Sequence, residues 1–293
     1  MFYIIANPAL GRKKSNAKEL NEIYKYLNEN KIEYRLFETQ YYHHPYEIAK
    51  QITNENESGD LIVIGGDGTF NEVLNGIKDL SKWNIGLIPS GSGNDFAKAI
   101  NFSSKDKIEC LKKILQKEVK PVDYIKVNDK VCVNVLGSGI DVEVLVNFEK
   151  HTKMRGSFRY LYSFVETFFK FKWKEFDVSL DDGPFERKRG LLVTLCNGSH
   201  IGGGIPICPS AKASDGQLEF VFVKAVKKIK LPPYLIKLMN GKIYSFPETE
   251  HVYCQKAVFK DSNNLELQID GNITNDCNEY RCEIVNKGIN MYR

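Results

Sequence analysis

The chain has 293 residues, a length that fits two domains of ordinary size or one large one. Hydrophobic residues at 42% and charged residues at 27% are ordinary for a globular protein and exclude wholesale disorder. A formal charge of +4, from 41 basic and 37 acidic side chains, is too small for the concentrated basic surface that nucleic-acid binding needs.

In chain order, residues 2–5, 61–64 and 85–88 are compact apolar runs, each closely followed by Gly, Pro, Asn or Asp, and read as buried strands. Between them, residues 16–30 carry leucine, isoleucine and tyrosine at helical spacing, and residues 71–77 open another helix. Strand, loop, helix, strand predicts an α/β domain with a parallel sheet over residues 1–122. In such folds ligands sit at the carboxyl ends of the strands, so the loops there are the place to look for chemistry. From Val122 onward the pattern changes. Runs at 124–127, 131–136, 176–180, 191–196, 218–223, 251–259, 265–269 and 281–285 read as strands, broken by turns such as Asn128-Asp129 and Asp181-Asp182-Gly183. Many strands with few helices predict a β-rich sandwich over residues 123–293, with room for the last residues to return to the first domain. One helical stretch, residues 155–174, interrupts it with Phe158, Leu161, Tyr162, Val165, Phe168 and Phe169 at helical spacing.

The seven cysteines (Cys110, Cys132, Cys196, Cys208, Cys254, Cys277 and Cys282) are odd in number and scattered, with no C-x-x-C pair. The five histidines do not sit at ligand spacing with them, so the spacing predicts reduced thiols rather than a zinc site or a disulfide framework. No stretch approaches the length needed to span a bilayer, and the apolar run at 2–6 is too short for a signal-peptide core. A cytoplasmic location is expected, with any lipid reached from the side.

The strongest local signal is Gly65-Gly66-Asp67-Gly68-Thr69-Phe70-Asn71-Glu72, between a buried strand and a helix. Three glycines let the backbone turn sharply and bring several amides against a ligand, and amides at a helix N-terminus bind anions, phosphate above all. An aspartate there would repel phosphate unless a divalent cation stood between them. Asp67 as a plain N-cap is the bland alternative, but a cap does not need three glycines beside it. Pro89-Ser90-Gly91-Ser92-Gly93-Asn94-Asp95-Phe96 follows another strand with hydroxyls and a second acid, and Asn7-Pro8-Ala9-Leu10-Gly11-Arg12-Lys13 follows the first strand with positive charge. Each loop is weak alone; three at corresponding strand ends are not. Neither a Walker sequence nor a dinucleotide-binding G-x-G-x-x-G after a strand occurs.

Together these loops resemble the diacylglycerol kinase catalytic-domain family, shared by bacterial lipid kinases, eukaryotic diacylglycerol kinases, sphingosine kinases and ceramide kinases. The resemblance covers essentially the whole chain. Asn197-Gly198, Gly202-Gly203-Gly204, Pro209 and Lys212-Ala213-Ser214-Asp215-Gly216-Gln217-Leu218 resemble the second-domain signature of the bacterial branch. The glycine-aspartate loop alone would also admit NAD and polyphosphate kinases. The resemblance implies an NAD kinase-like first domain followed by a sandwich, and an ATP- and magnesium-dependent phosphotransferase of phospholipid biosynthesis that converts diacylglycerol to phosphatidate. It places ATP on Asn7, Pro8, Ala9, Leu10, Gly11, Thr39, Gly65, Gly66, Asp67, Gly68, Thr69, Phe70, Asn71, Glu72, Ser92 and Asn94. Asp67 and Asp95 would organise the nucleotide's magnesium. Lys212, Asp215 and Gln217 would hold a second, structural magnesium, Asp215 through its carboxylate and the other two through carbonyls. Hard oxygens in an Asp-Gly turn suit magnesium, although an ordinary Asp-Gly turn explains the same residues. The implied partners are a membrane lipid, an anionic membrane surface met peripherally, and a second copy of the chain in a homodimer.

One position departs from the family. Members carry Asp-Gly-Glu near the C-terminal strands, with the glutamate as the base that takes the lipid hydroxyl's proton, whereas this chain reads Asp270-Gly271-Asn272. An amide cannot accept that proton. Three readings stay open: Asp270 is the base, the substrate is another lipid such as a monoacylglycerol, sphingoid base or prenol, or the protein is a catalytically weak lipid or nucleotide binder. Residues 224–242 carry Lys224, Lys227, Lys228, Lys230, Lys237 and Lys242 with no acid, among Leu231, Tyr234, Leu235, Ile236, Leu238 and Met239. They predict contact with an anionic leaflet, against the alternative of a solvated basic face over core aromatics.

Overall fold

All five residues of β1 (Phe2–Ala6) are buried, because the strand lies inside a parallel sheet covered on both faces. The computed structural model describes residues 1–8, 14–102, 106–151, 156–227, 229, 231–261 and 265–293. Its chain divides into two units, Met1–Asp123 with Lys287–Arg293, and Tyr124–Asn286.

In the first unit, β1 pairs in parallel with β2 (Tyr34–Glu38) and β3 (Gly59–Gly65), and β3 pairs in parallel with β4 (Trp83–Pro89). The end of the last strand, β15 (Glu279–Tyr292), adds in parallel beside β4. The sheet order is therefore β2-β1-β3-β4-β15. Helices α1 (Lys14–Glu29), α2 (His44–Glu55) and α3 (Asp67–Gly76) cross between the strands, and α4 (Asp95–Ala99) and α5 (Lys107–Leu115) follow β4. Strand β2 and helix α2 go unnoticed in the sequence reading. As an edge strand, β2 is half exposed and needs no apolar run, so Tyr34-Arg35-Leu36-Phe37-Glu38 does not look like its neighbours. Asp106 caps α5 by accepting from the Ile108 amide at 2.8 Å, an interaction of about 1 kcal/mol. The chain's end is anchored by the buried Tyr292, whose hydroxyl donates to Asp60 Oδ1 at 2.5 Å, while Lys117 Nζ donates to Oδ2 at 2.7 Å.

Strand β5 (Val119–Val127) carries the chain out at Asp123, and the second unit is antiparallel. Its strands are β6 (Lys130–Cys132), β7 (Val135–Gly139), β8 (Lys174–Leu180), β9 (Glu186–Cys196), β10 (Leu218–Lys224), β11 (Thr249–Cys254), β12 (Lys256–Lys260), β13 (Leu267–Ile269), β14 (Asn272–Thr274) and the first part of β15. The early part of β9 pairs with β8; its later part lies between β7 and β10. Alternate residues of β9 and β10 enter two apolar layers. Val193, Leu195, Phe220 and Phe222 join one, shared with β8, β12 and β13, and Leu192, Val221 and Val223 join the other, covered by helices. This is a β sandwich, and the later half of β9 and most of β10 read as largely apolar runs because both faces are buried there. Helices α6 (Ile140–Lys150), α7 (Gly156–Lys170) and α8 (Leu231–Met239) belong to this unit. The predicted helix 155–174 thus ends at Lys170, and Lys174 already starts β8.

Two predicted strands are each broken in two. Residues 131–136 split between β6 and β7, because an aspartate from elsewhere in the unit takes the amides of residues 133–135. Residues 251–259 split at Gln255, where Asp181 Oδ1 accepts from Gln255 N at 2.8 Å and Lys256 N at 2.9 Å. The two halves then pair with different neighbours, β11 with β10 and β12 with β8 and β15.

Candidate active site

The carboxyl ends of β1 to β4 are tied together by backbone bonds between consecutive loops. Thr39 N donates to Ala6 O at 2.9 Å, Asn7 N to Ile64 O at 3.0 Å, and Ser90 N to Gly65 O at 2.9 Å. Residues Asn7, Thr39, Gly66 and Ser90 are thereby held along one rim. Asn7 reinforces it by donating its side-chain amide to Thr69 Oγ1 at 3.0 Å. Ala9, Leu10 and Gly11, with Arg12 and Lys13, lie outside the described residues, and Pro8 is the last of that loop to be described.

Helix α3 begins at Asp67, with Gly66 at its N-cap and no side chain capping it. Asp67 is therefore not the cap but the first helical residue, and its Oδ1 accepts from the Phe96 amide at 3.2 Å. The first intrahelical bond runs from Phe70 N to Gly66 O at 3.0 Å, which leaves the amides of residues 67–69 as the helix's outward donors. Two glycines here serve different ends. A Cβ on Gly91 would come within 2.6 Å of Gly66 Cα, so the second loop packs directly on the backbone of the first. A Cβ on Gly68 would meet nothing within 4 Å, and the residue is exposed. No contact among the described residues requires Gly68 to lack a side chain. The positive end of α3, with no side-chain cap, and the open space above Gly68 suit an anion such as phosphate.

The second loop is shaped by Asn94. It adopts a left-handed conformation at φ 53°, its Oδ1 accepts from Gly91 N at 2.9 Å, and its amide donates to Gly91 O at 2.9 Å. Lys107 Nζ donates to the Pro89 carbonyl of the same loop. Asp95 is buried and faces Lys98 Nζ at 3.2 Å, while Ser92 is exposed. Asp67 and Asp95 thus stand on touching loops as two hard-oxygen donors, which fits an octahedral magnesium that keeps part of its water shell. Glu72, one turn along α3 from Gly68, has a buried Oε2 with no hydrogen-bond partner among the described residues. Burial pushes its carboxyl up, partly offset by the charge and backbone amide of His43. It is an acceptor in want of a donor, as a sugar hydroxyl would supply.

Two residues assigned to ATP are core instead. Phe70 is fully buried, stacked on Phe96 at 5.3 Å, and its amide is used within the helix. Asn71 is buried and accepts from the Asn75 side chain at its own carbonyl (2.9 Å) and Oδ1 (3.2 Å). Both are covered by their neighbours in the first unit, which chain order alone does not reveal.

In the second unit, Asp270 sits in a left-handed turn at φ 48°, ahead of Asn272, the first residue of β14. Its Oδ2 accepts from Val133 N at 2.8 Å; its Oδ1 accepts from Asn134 N at 2.9 Å, Val135 N at 3.1 Å and the Cys132 thiol at 3.2 Å. That overturns the reading of Asp270 as the base. Both oxygens are committed to holding residues 132–135, and a proton added there would face a ring of donors. Asp270 is a positioning residue.

The expected second magnesium site has Asp215 exposed, with Oδ1 accepting from Gln217 N at 3.1 Å. The Lys212 carbonyl accepts from Ser214 N at 2.8 Å and keeps a second lone pair. One exposed carboxylate and neighbouring carbonyls suit a hydrated hard cation.

An apolar cavity of about 50 Å³ lies within the same unit, lined by Ile140, Leu192, Ile205, Val223, Tyr234 and Phe246 among others. Asp141 also lines it. The residue is 4% exposed, and neither carboxylate oxygen has a hydrogen-bond partner among the described residues. Burial raises its carboxyl to about 7, opposed in falling order by the Val142 amide, Gln268, its own amide and Lys174, none of which reaches hydrogen-bonding geometry. The sequence reading missed Asp141; a lone acid in the apolar context Gly139-Ile140-Asp141-Val142 was the available signal.

Residues 1–127 match the diacylglycerol kinase catalytic domain, and residues 134–289 match the YegS C-terminal NAD kinase beta sandwich-like domain. A diacylglycerol kinase of Bacillus subtilis is 25% identical over 236 residues, 80% of this chain and 75% of that one. The structure of a diacylglycerol kinase from Bacillus anthracis superposes with a TM-score of 0.77 at 23% identity, covering 99% of this chain and 96% of that one. An NAD kinase from Archaeoglobus fulgidus in complex with ATP superposes with a TM-score of 0.56 at 13% identity, covering 100% and 94%. At those identities the two structures speak for the fold alone.

Proposed function

The chain belongs to the diacylglycerol kinase catalytic-domain family of lipid kinases, and from that premise we propose that it transfers the γ-phosphoryl group of ATP to the hydroxyl of diacylglycerol, yielding phosphatidate. The observation that carries the nucleotide half is the uncapped start of α3, with open space above Gly68 and Asp67 beside it. The amides of residues 67–69 bind phosphate oxygens, Asn7 and Thr69 hold the first and third loops in register, and Glu72 takes a sugar hydroxyl. Asp67 and Asp95 would hold magnesium, which when bound neutralises the charge of the nucleotide's phosphates.

On the lipid side, the apolar cavity of the second unit is the best receptor for an acyl chain. At about 50 Å³ it is too small for a whole chain, so Tyr234 and Leu238 of α8 must give way on entry. Asp270 fixes the backbone of residues 132–135, and Asn272 offers the lipid hydroxyl a hydrogen bond without taking its proton. Phosphoryl transfer depends on positioning and charge neutralisation more than on a base, so the loss of the glutamate slows the reaction without abolishing it.

The test is phosphatidate formation from ATP, magnesium and diacylglycerol in anionic mixed micelles. Wild type is expected to turn over. Asp67→Asn is expected to lose on the order of 100-fold or more, as when one preorganised electrostatic group is removed. Asn272→Glu should raise turnover, and Asp270→Asn should lower both turnover and melting temperature, because three amides lose a charged acceptor. A wild type silent on diacylglycerol but active on a lipid extract would reassign the substrate. A wild type silent on both and awakened by Asn272→Glu would make it a binding homologue.

A further inference from the structure

Outside the machinery described above, one cluster of the second unit brings together side chains that are far apart in sequence. Strand register builds it. Cys196 of β9 lies directly opposite Glu219 of β10, and His251 of β11 lies opposite Val221, two residues further along the same face. The connection from β9 to β10 folds back over that face and brings Cys208 and Ser210, its backbone held by Cys208 N donating to Ser199 O at 3.1 Å. Tyr244, from the turn Ile243–Ser245, stacks on the His251 ring with centroids 4.2 Å apart.

Everything converges on one atom. Glu219 Oε2 lies 2.6 Å from His251 Nε2, 2.6 Å from Ser210 Oγ, 3.0 Å from Tyr244 Oη and 3.1 Å from Cys208 Sγ. Its other oxygen, Oε1, is buried with no hydrogen-bond partner among the described residues. The Glu219 side chain is 3% exposed and that of His251 is 21% exposed, so the cluster reaches the surface on the histidine side. Tyr244 Oη also lies 2.8 Å from Ser210 Oγ and 3.1 Å from Cys208 Sγ, so four groups crowd one carboxylate oxygen with about two lone-pair sites while its twin is left over. It is a good arrangement for Lewis bases around a cation. The sulfur, the carboxylate oxygen and the imidazole nitrogen all lie within 4.8 Å of one another.

We propose that Cys208, Glu219 and His251 form a zinc site that pins the β9–β10 connection to β10 and β11. Thiolate, imidazole and carboxylate are zinc's usual ligands, whereas magnesium and calcium take oxygen alone. Three protein ligands leave the fourth tetrahedral position to water or to the Ser210 or Tyr244 oxygen. The hydroxyl not used there steadies Glu219 from behind. The sequence reading excluded zinc because no cysteine and histidine sit at ligand spacing. Here the spacing is supplied by cross-strand register instead.

The test is metal uptake by the full chain after treatment with a chelator. Wild type is expected to take up one equivalent of zinc, to melt at a higher temperature with zinc than without, and to show a thiolate-to-cobalt charge-transfer band with Co²⁺. Cys208→Ser should abolish the band, His251→Gln should weaken zinc binding at least about tenfold, and Cys110→Ser, in the other unit, should change neither. Wild type that takes up no zinc and gives no band overturns the proposal, whether or not the variants fold. So does a band that survives Cys208→Ser. None of these readouts depends on kinase turnover, so the site and the proposed reaction stand or fall separately.

Discussion

Two glycines on touching loops make opposite demands. Gly91 is bare because the Gly66 backbone occupies the place of its side chain, and Gly68 is bare although nothing inside the chain occupies that place. Gly91→Ala should therefore destabilise the fold, by about 1–3 kcal/mol for a forced backbone shift. Gly68→Ala, in the first turn of α3, should leave the melting temperature unchanged or raise it while weakening ATP binding. Thermal unfolding beside nucleotide titration of the two variants checks this; Gly68→Ala binding ATP like wild type would overturn phosphate binding at the start of α3. At this scale the sequence showed which loops matter but not which way each side chain points. Phe70 and Asn71 lie in the same run as the exposed Gly68, yet both are buried, a difference that packing and not spacing decides. Asp270 looked like a base because chain order cannot show that residues 132–135 return to it with their amides.

Strands announced themselves where both faces are buried, as in β3, β4, β10 and the later half of β9, since their buried stretches are mostly apolar. Half-exposed β2 and the breaks near residues 133 and 255 did not, because an edge or a borrowed hydrogen bond leaves no mark on periodicity. Helix α6 carries a cost of its own. Its second residue, Asp141, is buried in an apolar wall with its carboxyl raised to about 7. The unfolded chain ionises near pH 4, so between about pH 4 and 7 the native state holds the extra proton. Stability should therefore be fully present below pH 4, fall as pH rises to 7, and stay flat above, by on the order of a few kcal/mol. Asp141→Asn should remove that slope and unfold at a higher temperature than wild type at pH 8. Parallel slopes for the two proteins across that window would show that Asp141 is not the group responsible.

For the molecule as a whole, no helix among the described residues is long and apolar enough to cross a membrane. The exposed apolar and basic side chains of α8 and its approach would suit contact with an anionic membrane surface. Ile229, Ile236 and Met239 are 85%, 64% and 47% exposed, beside Lys224, Lys227, Lys237 and Lys242. Lys228 and Lys230 lie outside the described residues, as do the side chains of Leu231 and Leu235. Basic residues near an anionic leaflet contribute about 1 kcal/mol each, so the protein should bind anionic vesicles in low salt and release in high salt. Ile236→Glu should weaken that binding in a vesicle sedimentation assay, and equal binding to neutral vesicles would remove the electrostatic part. By itself the sequence determined the α/β half, the β-rich half and the family, because these rest on local runs and motifs whose residues are neighbours in sequence. Only the tertiary structure decided that Asp270 holds backbone rather than takes a proton, that Asp141 is sealed in an apolar wall, and that Cys208, Glu219 and His251 meet. Those facts depend on which strands pair and in what register, and pairing joins residues that chain order keeps apart.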